Sequence, residues 1–335
     1  MSAAACGQFA NTVTSAADSG PVRQATIAFA NGSYSGPVSV EVRSDSGTTQ
    51  RLPMVLGEDP DIALSASGAV VVAGSTEGAV DMVRIWDLVT EREVAAVPID
   101  QRLRSGVPRD HATIAMSRDG QSVAILAMDA DYRIQFSTMS MASPGKWTTS
   151  APLAGCSFGW LYSFEAGGFA VLCEGDAALY TWHEPLGVPS RVELLPGDAA
   201  VSAAVSRSGS TLAVLSQRGF AKVVSLNIDP SVRDTFGVPG VAESPLGTRY
   251  SLAVQDDGTV AVGAPTAGLD VQQWKDGHEL SAVNLVYGLR IIGYGGSGRL
   301  IVLERYGVEP SAEPTVDTVS VEPTDAPDNI IVVGI

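Results

Sequence analysis

A glycine-bearing turn recurs along this chain between short apolar runs, and that recurrence constrains the fold more than any other feature. Ala63-Leu64-Ser65-Ala66-Ser67-Gly68 leads into Ala69-Val70-Val71-Val72-Ala73. Ile114-Ala115-Met116-Ser117-Arg118-Asp119-Gly120 leads into Ser122-Val123-Ala124-Ile125-Leu126 in the same way. The pattern returns at Val205 to Gly209 before Thr211-Leu212-Ala213-Val214-Leu215, and at Ala253 to Gly258 before Thr259-Val260-Ala261-Val262. Glycine suits such a bend because a tight hairpin needs a residue with positive φ. The turn glycines Gly32, Gly68, Gly120, Gly167, Gly209, Gly258 and Gly298 are spaced 36, 52, 47, 42, 49 and 40 residues apart.

A second ladder runs in register with the first. The residues expected to end the third strand of each unit are Val42, Trp86, Phe136, Trp182, Leu226, Trp274 and Val321, with spacings of 44, 50, 46, 44, 48 and 47. The 335 residues then divide into seven units of about 48, the size of a four-stranded propeller blade. One unit alone leaves a sheet face unburied, and radial stacking covers it. The expected fold is all-β: a seven-bladed β-propeller of four-stranded antiparallel blades, with six blades plus a closing element as the alternative. Burying tryptophans 86, 182 and 274 at equivalent sites is part of that expectation. The expected boundaries are a flexible segment over 1–20, the propeller over 21–309, a Pro-rich acidic linker over 310–327 and a closing strand over 328–335. The 35 glycines and 19 prolines agree with many turns, and 45 % hydrophobic residues against 17 % charged exclude global disorder.

The stretch from Ile62 to Val94, with its Ser-x-x-Gly turn and Arg84-Ile85-Trp86-Asp87-Leu88 strand end, resembles a WD-repeat propeller blade. Ile114 to Gly120 is similar at its Ser-x-Asp-Gly turn, and weaker echoes cover nearly the whole chain. His183 and Lys275 stand where that family prefers aspartate, and no Gly-His pair opens a unit, so the resemblance is to a divergent WD-like propeller of bacterial type. It implies a scaffold that binds a protein or peptide.

Charge narrows the partners. Lys plus Arg number 21 and Asp plus Glu 37, a formal net charge of −16. Nucleic-acid binding needs a cationic footprint, and none is present. No apolar stretch is long enough for a transmembrane helix. Ala3-Ala4-Ala5-Cys6-Gly7 resembles a lipoprotein cleavage box with Cys6 as the lipidated residue, but no apolar region precedes it. The expected compartment is the cytoplasm, with an extracytoplasmic lipoprotein as the alternative. Cys156 and Cys173 flank a hairpin, a position open to a disulfide or to two buried thiols.

The candidate chemistry is sparse. Gly293-Tyr294-Gly295-Gly296-Ser297-Gly298 has dinucleotide-fingerprint spacing, but the strand pattern Arg299-Leu300-Ile301-Val302-Leu303 follows where a helix is required. His111, His183 and His278 are too scattered for a transition-metal site. Paired carboxylates sit in loops at Asp129 and Asp131, Glu174 and Asp176, and Asp256 and Asp257. Aspartate favours turns, and the same oxygens could hold Ca²⁺. Asp129 and Asp131 lead as metal candidates because Tyr132 and Arg133 adjoin them. Tyr132, Arg133 and the loop residue Trp147 are the candidate partner contacts. The expected function is a monomeric, non-catalytic scaffold binding a protein or peptide, with no cofactor, Ca²⁺ excepted. The alternatives are a lactonase-like or hydrolase-like propeller enzyme using loop carboxylates and a divalent ion, and a surface lipoprotein binding factor.

Overall fold

The structure is a computed structural model. It describes residues 14–16, 22–29, 38–44, 49–56, 58–77, 80–99, 102–103, 113–164, 167–182, 187–227, 229–241, 250–265, 269–285, 289–294, 300–304 and 330–333. Every regular element among them is a strand.

The strands form sheets that follow one another along the chain. The first holds β1 (Thr14–Ala16), β2 (Val22–Phe29), β3 (Val38–Ser44) and β4 (Thr49–Leu56). The second holds β5 (Glu58–Leu64), β6 (Val70–Glu77), β7 (Val80–Asp87) and β8 (Arg92–Ile99). The third adds a short β9 (Arg102–Leu103) to β10 (Ile114–Met116), β11 (Ser122–Met128), β12 (Ile134–Ser140) and β13 (Trp147–Thr149). The fourth is β14 (Gly159–Ser163), β15 (Phe169–Cys173), β16 (Ala178–Trp182) and β17 (Ser190–Glu193). The fifth is β18 (Ala200–Val205), β19 (Thr211–Ser216), β20 (Phe220–Ser225) and β21 (Ser231–Gly237). The sixth is β22 (Ser251–Val254), β23 (Val260–Pro265), β24 (Leu269–Lys275) and β25 (His278–Leu285). Six sheets thus carry an antiparallel four-strand meander. The last differs: β26 (Leu289–Tyr294) and β27 (Leu300–Glu304) are antiparallel, and β28 (Ile330–Val333) lies parallel to β27.

The glycine ladder marks the turn between the first and second strands of each unit. Gly68, Gly120, Gly167, Gly209 and Gly258 all have positive φ, between 64° and 90°. Each donates its N–H to the carbonyl three residues back: Ser65, Ser117, Phe164, Ser206 and Gln255. Where serine opens the turn, its hydroxyl also accepts from the next strand's first N–H, at 3.0 Å for Ser65, 2.9 Å for Ser117 and 3.1 Å for Ser206. Gly32, Gly298 and Val321 lie outside the described residues.

Strand alternation sends successive side chains to opposite faces, so the second to sixth sheets each pack against the sheet before and the sheet after. In β19, Leu212 and Val214 join the core shared with the fourth sheet, while Ala213 and Leu215 join the core shared with the sixth. Trp86, Trp182 and Trp274 are buried, and each faces the preceding sheet, as does Leu226. Phe136 corrects the second ladder. It faces the following sheet and stacks on Trp182 with ring centroids 4.2 Å apart, while Met139 takes the place equivalent to Trp86. Val42 likewise faces forward, into the core that holds Trp86. A slip of one residue in register is enough to exchange the faces.

The first unit corrects a second expectation. Residues 1–20, read as a flexible segment, contribute β1, which pairs Thr14 with Thr26 and Ala16 with Gln24. Three small residues carry too little alternation to be read as a strand.

Outer strands share a further device. One extra residue bulges from the ladder at Val94 in β8, Arg233 in β21 and Leu280 in β25, opposite the end of the third strand. Such bulges twist an edge strand away from pairing with another chain. In the fifth sheet the bulged Arg233 reaches the next sheet and donates to the carbonyls of Asp256 and Asp257.

Cys156 and Cys173 form a disulfide, 17 residues apart in sequence, resolving the alternatives left by the sequence. It fastens the segment before β14 to the end of β15, and the Tyr180 hydroxyl donates to the Ala154 carbonyl beside it. Closing a loop of this length contributes about 3 kcal/mol by chain entropy. Urea unfolding of the Cys156→Ser/Cys173→Ser protein is expected to show a loss of that size, with no further loss on adding reductant.

Candidate functional site

An up-and-down sheet has two ends. Turns joining first to second and third to fourth strands share one end, here the glycine-turn end. Turns joining second to third strands, and connections to the next sheet, share the other, here the far end. Neighbouring sheets keep their ends aligned: the Ser208 hydroxyl donates to Asp256 between glycine turns, and Ala200 N–H donates to the Glu174 carbonyl at the far end.

This geometry separates the candidate residues. Asp129 to Arg133 form the β11–β12 turn at the far end. Trp147 opens β13 at the glycine-turn end, opposite Met139. The seven-residue β12 lies between them, about 20 Å at 3.3 Å per residue. Trp147 is half-buried against the core between the second and third sheets, and its buried indole N–H has no acceptor among the described residues. Its surroundings are those of a packing residue.

The Asp129 turn is built around one carboxylate. Asp129 Oδ1 accepts the N–H groups of Asp131 and Arg133 at 2.9 Å each, and Oδ2 accepts from Arg133 Nε at 2.8 Å. Arg133 also pairs with Asp131 at 2.9 Å. The Arg133 backbone N–H and its guanidinium hold the Asp129 carboxyl below the usual carboxylate range. The oxygens that a cation would need therefore face a guanidinium. Among the described residues, no three His, Cys, Asp or Glu side chains assemble as metal ligands.

Tyr132 is the outlier of this turn. Asp129 N–H donates to the Arg133 carbonyl, and Tyr132 N–H donates to the Asp129 carbonyl. The same pair of bonds closes the turns from Phe164 to Gly168 and from Gln255 to Thr259. There the left-handed position is filled by Gly167 (φ 79°) and Gly258 (φ 90°); here it is filled by Tyr132 (φ 62°), with its side chain 73 % exposed.

A pocket of about 610 Å³ opens at the same end, between the fourth and fifth sheets. Asp176, Asp198, Gln217 and Arg218 line it, with Gly175 and Gly197 among its wall residues. The β15–β16 turn supplies Asp176, the β17–β18 connection Asp198 and the β19–β20 turn Arg218. The pairing of Asp176 with Glu174 was legible as a loop acid pair. Asp198, Gln217 and Arg218 were not, since each reads as an ordinary turn residue until the two sheets are placed side by side.

Asp256 and Asp257 are committed elsewhere. Burial works against ionising Asp256, but hydrogen bonds from Ser206, Ser208 and Ser210 outweigh it and keep the carboxyl below its usual range. Asp257 pairs with Lys275 at 2.6 Å. His278 is exposed at the start of β25; Cys6, His111 and His183 lie outside the described residues. No helix among the described residues is long and apolar enough to cross a membrane. No protein-family model matches the chain, and no curated protein matches it significantly.

Proposed function

We propose that this chain is a seven-bladed β-propeller, a divergent WD-like scaffold, that binds a protein or peptide at its far end through Tyr132 and Arg133. The observation that carries the reading is Tyr132 in a left-handed position that the turns from Phe164 to Gly168 and from Gln255 to Thr259 give to glycine. Glu91, Asp176, Ala177 and Asp276 are also left-handed, but among the described residues Tyr132 is the one aromatic so placed. A left-handed L-residue costs about 1–2 kcal/mol. Such strain is characteristic of places where function rather than stability selects the residue. A large aromatic held by a hydrogen-bonded turn, with an arginine beside it, has the composition of an interface hot spot. The successive face-to-face packing of the sheets supports the propeller, with β26 to β28 as its last blade. Asp129 and Asp131, the acids an enzyme reading would use, are already engaged by Arg133.

Tyr132→Gly is expected to raise unfolding stability by about 1 kcal/mol while weakening partner binding. Urea denaturation and co-purification with the partner read the two effects separately. Loss of stability, or unchanged binding, would contradict the reading.

The Cys156–Cys173 bond favours an oxidising compartment over the cytoplasm. It supports the extracytoplasmic alternative, with Cys6 as the lipid-bearing residue. Intact mass of protein from its native cells tests this: a lipid-shifted mass with no titratable Cys156 or Cys173 is expected, and an unmodified Cys6 with three free thiols would reject it.

A further inference from the structure

We infer that the far-end pocket between the fourth and fifth sheets is a binding site for a short peptide carrying both a free ammonium and a free carboxylate. Its walls are fixed by backbone hydrogen bonds, one across the two sheets and one within each. Ala200 N–H donates to the Glu174 carbonyl at 2.9 Å, Leu195 N–H to the Asp176 carbonyl at 3.1 Å and Gln217 N–H to the Ala199 carbonyl at 2.8 Å. The two acids are oriented in turn: Asp176 Oδ1 accepts from Gly197 N–H and Asp198 Oδ1 from Ala199 N–H, each at 2.9 Å. Among the described residues, no donor meets the second oxygen of either carboxylate. Gly197 sits at φ +71° with open space where a side chain would be, which keeps the wall low.

Arg218 decides the ligand's chemistry. It lines the same pocket as two carboxylates, yet among the described residues no ion pair within 4.0 Å joins it to either. Opposite charges held apart across a cavity leave a gap that a ligand with both charges can bridge. The carboxylate of the ligand would take the planar guanidinium fork of Arg218. Its ammonium would take the free oxygens of Asp176 and Asp198. The volume, about 610 Å³, falls in the range of about 300–1,000 Å³ typical of small-molecule sites and exceeds the needs of a single amino acid. A peptide of a few residues fits the volume and presents both charges. This inference is independent of Tyr132, which belongs to the third sheet.

Titration calorimetry with tri-alanine tests it, using the unblocked, N-acetylated, C-amidated and doubly blocked forms, with free alanine alongside. The unblocked peptide is expected to bind, with each block weakening it on the order of tenfold, as expected for charge-assisted contacts. Arg218→Ala should erase the preference for a free carboxylate and keep that for a free ammonium; Asp198→Asn should weaken the ammonium preference alone. Arg218 is exposed, so its replacement leaves the core intact, and unfolding curves of each variant check this. Equal binding of the unblocked and doubly blocked peptides would overturn the inference. So would a carboxylate preference that survives Arg218→Ala, or free alanine binding as tightly as tri-alanine.

Discussion

Replacing Trp182 with alanine is expected to lower unfolding stability by about 3–5 kcal/mol, the cost of deleting a large buried aromatic and leaving a cavity. Trp182 is 2 % exposed and joins the third and fourth sheets. It stacks on Phe136, lies 6.1 Å from the Tyr180 ring and pairs across the strand with Phe169. The surrounding residues sit on separate strands whose backbones are pinned by ladders, so they have little freedom to collapse into the space. Trp274, stacked on Phe236 at 5.4 Å, should show a similar loss, since it occupies the equivalent place between the fifth and sixth sheets. Trp274→Ala measured by urea denaturation in the same buffer checks the equivalence. A loss near zero at either site would mean that the sheets do not pack in the order described.

Asp61→Ala is expected to cost about 3 kcal/mol or more, because it strands several buried donors at once. Asp61 lies in β5, and its Oδ2 accepts the Thr113 N–H at 2.6 Å, the Thr113 hydroxyl at 2.8 Å and the Ile114 N–H at 3.0 Å. Its Oδ1 accepts the Ile62 N–H at 2.9 Å. One carboxylate thus ties the second sheet to the first strand of the third. Ser251 does related work farther along, accepting the Ile291 N–H at 3.1 Å between the sixth sheet and β26. Burial raises the Asp61 carboxyl above its ordinary value, and the four hydrogen bonds draw it part of the way back. A folded-state value above the unfolded one means that this titration contributes stability fully below the unfolded value, about 3.9, and loses it as pH rises through the folded value. The stability of the wild type relative to Asp61→Asn is therefore expected to be greatest in acid and to decline toward neutral pH. A relative stability that grows with pH would show that the hydrogen bonds, not burial, dominate.

Repetition made the fold legible where each unit kept the same local chemistry. Ser65, Ser117 and Ser206 open turns whose glycines must be left-handed, and tryptophans 86, 182 and 274 end third strands 18, 15 and 16 residues after the turn glycines Gly68, Gly167 and Gly258. Phe136 was misassigned because an aromatic near the right spacing says nothing about which face it occupies; alternation sends it forward and Met139 back. β1 escaped notice because three residues cannot establish a period of two. Asp61 carries no signal in the sequence, and only the packing of β5 against the third sheet shows it buried. The site was legible in fragments. Tyr132 and Arg133 stood out beside two acids, but the strain at Tyr132 emerges only when its turn is matched bond for bond with those of Gly167 and Gly258. Trp147 read as a loop aromatic, open to a binding role or to packing under its own loop; it starts β13 and packs against the core between the second and third sheets.

The claim at the centre of this account is that the far end, around Tyr132, meets the partner. Photo-crosslinking measures it most directly, with a benzophenone amino acid placed at position 132 and, as control, at Val188, which is 98 % exposed at the glycine-turn end. The account predicts a discrete crosslinked protein or peptide from position 132 and none from position 188. Crosslinking from position 188 alone would contradict it and move the contact surface to the opposite end of the sheets.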